Sequence, residues 1–147
     1  MKCDNYIKLT VPALSRNESF ARAAVGAFVS QLDPTLDELG SVKAAVSEAV
    51  TNCIVHAYAD SDTIGLINIT SRIIGNKIYI KISDKGCGIE NIKKAMEPLF
   101  TTKPEQERSG LGFAVMESCC DKVRVSSKKG KGTTVTLIFT VKEKELK

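Results

Sequence analysis

The run Lys77 to Ser83 constrains the fold more than any other stretch. Ile78, Ile80 and Ile82 alternate with Lys77, Tyr79 and Lys81, and Gly75-Asn76 separates this run from a second strand-like run, Leu66 to Ile74. A glycine-asparagine pair between two such runs is a strong hairpin signal, and a period of two turns one face of a sheet to a core and the other to water. A sheet with one apolar face needs a second layer to cover it. Helical patterns elsewhere in the chain supply that layer. Leu39, Val42, Val46, Val50, Cys53 and Ile54 recur at the three and four spacing of a core stripe in a helix running from about Leu36 to Tyr58, started by Asp33 and Pro34.

The remaining elements complete the pattern. Tyr6 to Val11 reads as a strand with Ile7, Leu9 and Val11 on one face, closed by Pro12. Asn17 or Ser15 caps a helix from Glu18 to about Gln31, with Phe20, Ala24, Ala27 and Phe28 on its apolar side. Ile89 to Met96 suits a short helix, Leu99 to Ser109 a polar loop, and Leu111 to Cys120 another helix. Two strands, Lys122 to Ser127 and Thr133 to Val141, end the chain, joined by the turn Lys128-Lys129-Gly130-Lys131-Gly132. The expected fold is α/β, a two-layer sandwich of helices on a mixed, mostly antiparallel sheet. At 147 residues, with no repeat and no linker, residues 1–147 read as one domain.

Composition narrows the function classes. A hydrophobic fraction of 43% fits a folded chain. No stretch approaches the roughly 20 apolar residues of a membrane span, and no basic-then-apolar leader opens the chain. Cys3, Cys53, Cys87, Cys119 and Cys120 form no Cys-x-x-Cys pair and suit a reducing cytoplasm, and a single histidine argues against a zinc site. The net charge is +4, but the cations are scattered except at Lys128, Lys129 and Lys131, so neither direct nucleic-acid binding nor membrane attachment is expected.

Glu48 and Asn52 stand four apart, hence one above the other on the same side of the central helix. By themselves they also fit an exposed glutamate and a tolerated asparagine. Asp84-Lys85-Gly86-Cys87-Gly88 follows a strand directly. Asp84 puts a carboxylate at the strand end, able to accept the amino hydrogen of adenine, and Gly86 and Gly88 let the backbone approach a flat ligand; an ordinary Asp-x-Gly turn fits the same residues equally well. Arg108-Ser109-Gly110-Leu111-Gly112-Phe113 opens a helix, where backbone donors and the helix field favour phosphate. Thr101-Thr102-Lys103 adds hydroxyls and an ammonium in the loop before it, though a solubilising loop has the same composition. His56, one turn beyond Asn52, is read first as a structural hydrogen-bonding residue.

Taken in order, Glu48 and Asn52, Asp84-x-Gly86-x-Gly88, the polar loop, Gly110-x-Gly112 and Gly132-Thr133-Thr134 resemble the ATP-binding domain shared by DNA gyrase, the Hsp90 chaperones, histidine kinases and MutL. More narrowly, Asn17-Glu18-Ser19-Phe20-Ala21-Arg22, Ser47-Glu48-Ala49-Val50-Thr51-Asn52, Pro98-Leu99-Phe100-Thr101-Thr102-Lys103-Pro104 and Arg108-Ser109-Gly110-Leu111-Gly112-Phe113 resemble the bacterial anti-sigma factors that are also serine kinases, of the sporulation type that holds sigma-F. The resemblance implies a Bergerat-type fold binding ATP or ADP with Mg²⁺. It makes Asn52 the Mg²⁺ ligand, Glu48 the general base and Asp84 the adenine reader, with Thr133 assisting. Gly86 and Gly88 would shape the adenine side, while Ser109, Gly110, Leu111 and Gly112 hold phosphates. Thr101, Thr102, Lys103 and Arg108 would lie on the lid, with Arg108 reaching the terminal phosphate. Glu18 and Arg22 would face the partners: a sigma factor, and an anti-anti-sigma protein phosphorylated on serine. A homodimer is also expected, and the first strand and the Phe20-bearing helix could pair with another chain or could simply cover this sheet. A nucleotide-controlled sigma-binding module with little or no kinase activity is the alternative.

Overall fold

The computed structural model describes residues 3–58, 63–89 and 112–142. Five strands, β1 (Asn5–Pro12), β2 (Leu66–Ile74), β3 (Lys77–Asp84), β4 (Lys122–Lys128) and β5 (Gly132–Thr140), form one sheet in the order β1-β2-β3-β5-β4. Each neighbouring pair is antiparallel. The register follows the apolar alternation: Leu9, Ile69, Ile82, Val135 and Val125 lie side by side across the sheet on its inner face. A one-residue slip would send each of these side chains to water, so burial itself holds the register.

Three helices cover that inner face among the described residues: α1 (Arg16–Val29), α2 (Leu36–Asn52) and α3 (Gly112–Cys119). Central α2 packs against both of the others. Val42, Val46 and Val50 are fully enclosed, as are Ile67, Ile78 and Ile80 beneath them. Burial of each such side chain is worth about 1.5–3 kcal/mol before the entropy of ordering is counted. Met116 anchors α3 to the same core.

The helix boundaries differ in detail from the sequence reading, each for a local reason. In α1 the buried side is Ala21, Val25, Phe28 and Val29, whereas Phe20 is 52% exposed. The apolar face is therefore turned away from Phe20 and Ala27. Ser15 occupies the N-cap without a side-chain cap bond, because its backbone is already helical, and Asn17 instead donates to the Pro12 carbonyl at 2.9 Å. After α1 a 3-10 turn, Ser30–Leu32, ends at Asp33 in the left-handed region. Thr35, rather than Asp33 or Pro34, caps α2. Beyond Asn52 the helix widens into a π turn, Cys53–Ala57. The expected helix from Ile89 to Met96 and the polar loop from Leu99 to Ser109 lie outside the described residues, Ile89 excepted.

Candidate functional site

Asp84 ends β3, opposite Ile67 on β2 and Thr133 on β5, and it is 8% exposed. Its Oδ1 accepts from the Gly86 amide at 2.9 Å and from the Thr133 amide at 3.3 Å. Its Oδ2 accepts from the Cys53 thiol at 3.4 Å. A carboxylate offers about four lone-pair positions, so three donors leave room for roughly one more. Counted among the described residues, the remaining lone-pair position on this nearly buried acceptor suits a single exocyclic amino group. Burial, followed by the charge of Asp84 and the hydrogen bond to it, pushes the Cys53 thiol well above its ordinary pKa. Cys53 therefore stays protonated and remains a donor to Asp84.

The glycines after Asp84 pack closely against protein backbone. A Cβ at Gly86 would lie 2.0 Å from the Ala57 carbonyl oxygen, and one at Gly88, whose φ is +75°, would lie 2.1 Å from that of Lys128. The close approach is thus to protein backbone. It joins the end of β3 to the π turn after α2 and to the β4–β5 turn. Hydrogen bonds complete the clamp: the Cys87 amide donates to Ala57 at 2.7 Å, and the Gly130 amide donates to Cys87 at 2.6 Å. Tyr58 braces it from the side, donating to the Leu66 carbonyl at 2.7 Å and accepting from the Lys85 amide at 2.9 Å. Sequence reasoning missed both Tyr58 and the polar duty of Cys53, which reads as one more member of the apolar stripe.

Glu48 and Asn52 occupy the last turns of α2, half-buried. Asn52 precedes the π turn without capping it, so its carboxamide is not committed to that turn. The Thr133 hydroxyl is 2.7 Å from the Ser127 hydroxyl, and Thr133 meets Asp84 through its backbone amide. Gly112 is buried at the start of α3, and His56 sits within the π turn. Glu18 and Arg22 are ion-paired at 3.6 Å, and Glu18 also accepts from the hydroxyl of Ser47, the neighbour of Glu48. The expected lid and phosphate residues Thr101, Thr102, Lys103, Arg108, Ser109, Gly110 and Leu111 lie outside the described residues. Among the described residues no cluster of three or more histidine, cysteine, aspartate or glutamate side chains could hold a metal ion. One carboxamide oxygen with phosphate oxygens and water fits the hard, oxygen-only preference of Mg²⁺.

A profile of the histidine kinase-like ATPase domain matches residues 11–139. The "Anti-sigma F factor" of Caldanaerobacter subterraneus subsp. tengcongensis is 52% identical over 137 residues, covering 93% of this chain and 94% of that protein. That of Anoxybacillus flavithermus is 55% identical over 134 residues, covering 91% of each. The chain belongs to the anti-sigma F factor family. Its fold is also similar to part of the structure of the RsbU and RsbW domains of Rv1364c from Mycobacterium tuberculosis, with a TM-score of 0.68 at 19% identity, covering 93% of this chain and 32% of that longer one. Membership of an ATPase-domain family implies that the chain binds ATP. No described helix is long and apolar enough to cross a membrane.

Proposed function

We propose that this chain is an anti-sigma factor and an ATP-dependent protein serine kinase. It sequesters a sporulation sigma factor of the sigma-F type and phosphorylates a serine of an anti-anti-sigma protein, working as a single-domain homodimer in the cytoplasm. The observation that carries this reading is the joining of α2 to the Asp84 loop. The helix bearing Glu48 and Asn52 continues into Cys53, which bonds Asp84, and into Ala57, which bonds Cys87. These bonds support a reading in which the proposed base, metal-binding carboxamide and purine-reading carboxylate act together.

In this reading Asp84 accepts the adenine amino group, and Asn52 would hold Mg²⁺ through its carboxamide oxygen, the metal supplying charge compensation for the phosphates. Gly112 and the backbone donors of Ser109, Gly110 and Leu111 hold the phosphates, and Thr101, Thr102, Lys103 and Arg108 close over them. Glu48 takes the proton of the incoming serine as its oxygen bonds to the γ-phosphorus and the bond to the β-phosphate oxygen breaks, releasing ADP. Positioning and charge compensation are the main requirements of such a transfer. Glu18 and Arg22 meet the partner. The Glu18–Ser47 hydrogen bond then ties that surface to the residue beside Glu48.

The test uses purified protein, Mg²⁺, γ-labelled ATP and the anti-anti-sigma protein. Label is expected on one serine and lost from its serine-to-alanine version. Glu48→Gln is expected to bind ATP as the parent does while transfer falls about 10²–10⁴-fold, the usual worth of a general base. Transfer at the parental rate would remove Glu48 from the role of base. ATP binding by the parent with no label transferred would favour nucleotide-controlled sequestration instead.

A further inference from the structure

The outer face of the sheet, opposite the helices, carries a concentration of charge that the linear sequence hides. Lys8, Lys81 and Arg124 lie in one row across β1, β3 and β4, with Thr70 and Thr136 between them. The adjacent row reads Tyr6, Arg72, Tyr79, Ile138 and Lys122, and Lys77 lies beyond it on β3. All six cations are exposed. The strands contain a single carboxylate, Asp84, and it belongs to the inner face. Among the described residues none of the six cations is ion-paired, since the Glu18–Arg22 pair lies on α1. Cations one strand apart in a period-two pattern look scattered in sequence; folding brings them together.

The rows match one kind of partner. Strands lie about 4.8 Å apart, so Lys8, Lys81 and Arg124 spread their charges over roughly 19 Å. Tyr6 is 56% exposed and Tyr79 is half-buried, and Arg72 stands between them on β2. Lysine is depleted and apolar side chains are enriched at the centres of protein interfaces, the reverse of what this face offers. A flat sheet also cannot enter the major groove of a duplex as a helix or two-stranded ribbon does. Cations for the backbone beside aromatic rings for stacking are what an unpaired strand requires. We infer that the outer sheet face is a sequence-independent docking surface for single-stranded nucleic acid, with Lys8, Lys81 and Arg124 on phosphates and Tyr6 and Tyr79 beneath bases. This surface is separate from the nucleotide site and does not depend on the kinase reading.

The experiment is a fluorescence-anisotropy titration of the whole chain with a labelled 20-nucleotide oligo-dT. Binding is expected at 50 mM salt and should weaken roughly 20-fold at 200 mM, given a slope of about −0.7 per phosphate contact and three contacts. Lys8→Glu/Lys81→Glu/Arg124→Glu should lose more than tenfold in affinity, with ATP affinity and melting temperature kept as evidence of an intact fold. Tyr6→Ala and Tyr79→Ala should each weaken binding roughly fivefold or more while leaving the salt slope unchanged. Failure to bind oligo-dT at 50 mM salt would overturn the assignment, as would equal binding by the folded charge-reversed variant. Equal affinity for polyglutamate or for anionic phospholipid vesicles would also overturn it, moving the face to an acidic protein or a membrane surface.

Discussion

The two ends of α2 are closed by opposite means. At the first, Thr35 Oγ1 accepts from the Glu38 amide at 3.1 Å while Glu38 Oε1 accepts from the Thr35 amide at 2.8 Å, and Glu38 Oε2 takes the Lys142 amide at 2.9 Å. The Thr35 and Glu38 amides find their acceptors within three residues, and Lys142, just past β5, adds a third donor, bonded to the Glu38 carboxylate. At the second end the helix is not capped but widened, and its last carbonyls are handed to another segment. His56 accepts from the Cys87 thiol at 3.4 Å and Ala57 from the Cys87 amide at 2.7 Å. The first end serves the helix; the second gives up regular helix geometry to shape the Asp84 loop. Such π turns recur where function sets the geometry.

That contrast breaks most easily at the clamp. Gly88→Ala forces a side chain onto a backbone at positive φ and against the Lys128 carbonyl. It should cost about 3 kcal/mol or more, read as a large fall in the midpoint of thermal melting. A midpoint within about 2 °C of the parent would mean that the loop is not clamped as described.

Cys53 sharpens the comparison at smaller amplitude. Cys53→Ala removes a donor from a nearly buried carboxylate and should weaken ATP binding by calorimetry roughly tenfold, with Cys53→Ser restoring it. Asp84→Asn serves as the control that the carboxylate reads the ligand at all. If Asp84→Asn loses ATP while Cys53→Ala does not, the thiol is packing alone.

The smallest effect belongs to the capped end. Backbone hydrogen bonds from Thr35 and then Lys142 hold the Glu38 carboxyl below its ordinary value of 4.5. A depressed pKa adds stability that is complete above the unfolded value and is lost as pH falls through the folded one. Glu38→Gln should therefore flatten the acid side of the stability curve below about pH 4.5. Because the group stays partly open to solvent, which screens its charge, the difference in urea unfolding should stay under about 1 kcal/mol.

Much of this was legible in the chain itself. The Ile78-Ile80-Ile82 alternation and Gly75-Asn76 located β2 and β3, and Asp84 stands at the strand end where its motif puts it. The capping box was also written in the sequence, as Thr35-x-x-Glu38, but the Asp33-Pro34 pair masked it. Other features had no sequence signal. That Gly86 and Gly88 press on Ala57 and Lys128 depends on contacts between segments far apart in the chain. The gathering of cations on the outer face depends on strand order, which alternation within one strand cannot specify. Cys53 differs from its apolar neighbours only through what stands opposite it.

The strand order also sets when the site can form. The β2–β3 and β4–β5 pairs are local hairpins, but the seam between β3 and β5 joins Asp84 to Thr133 across 49 residues of chain. Closing so long a loop is entropically slow, and non-local pairing of this kind governs the folding rate. The carboxylate thus acquires its Thr133 donor only when the two hairpins zip together, whereas the Gly86 donor is local. The complete donor set of Asp84 is, in kinetic terms, a product of the sheet's non-local pairings.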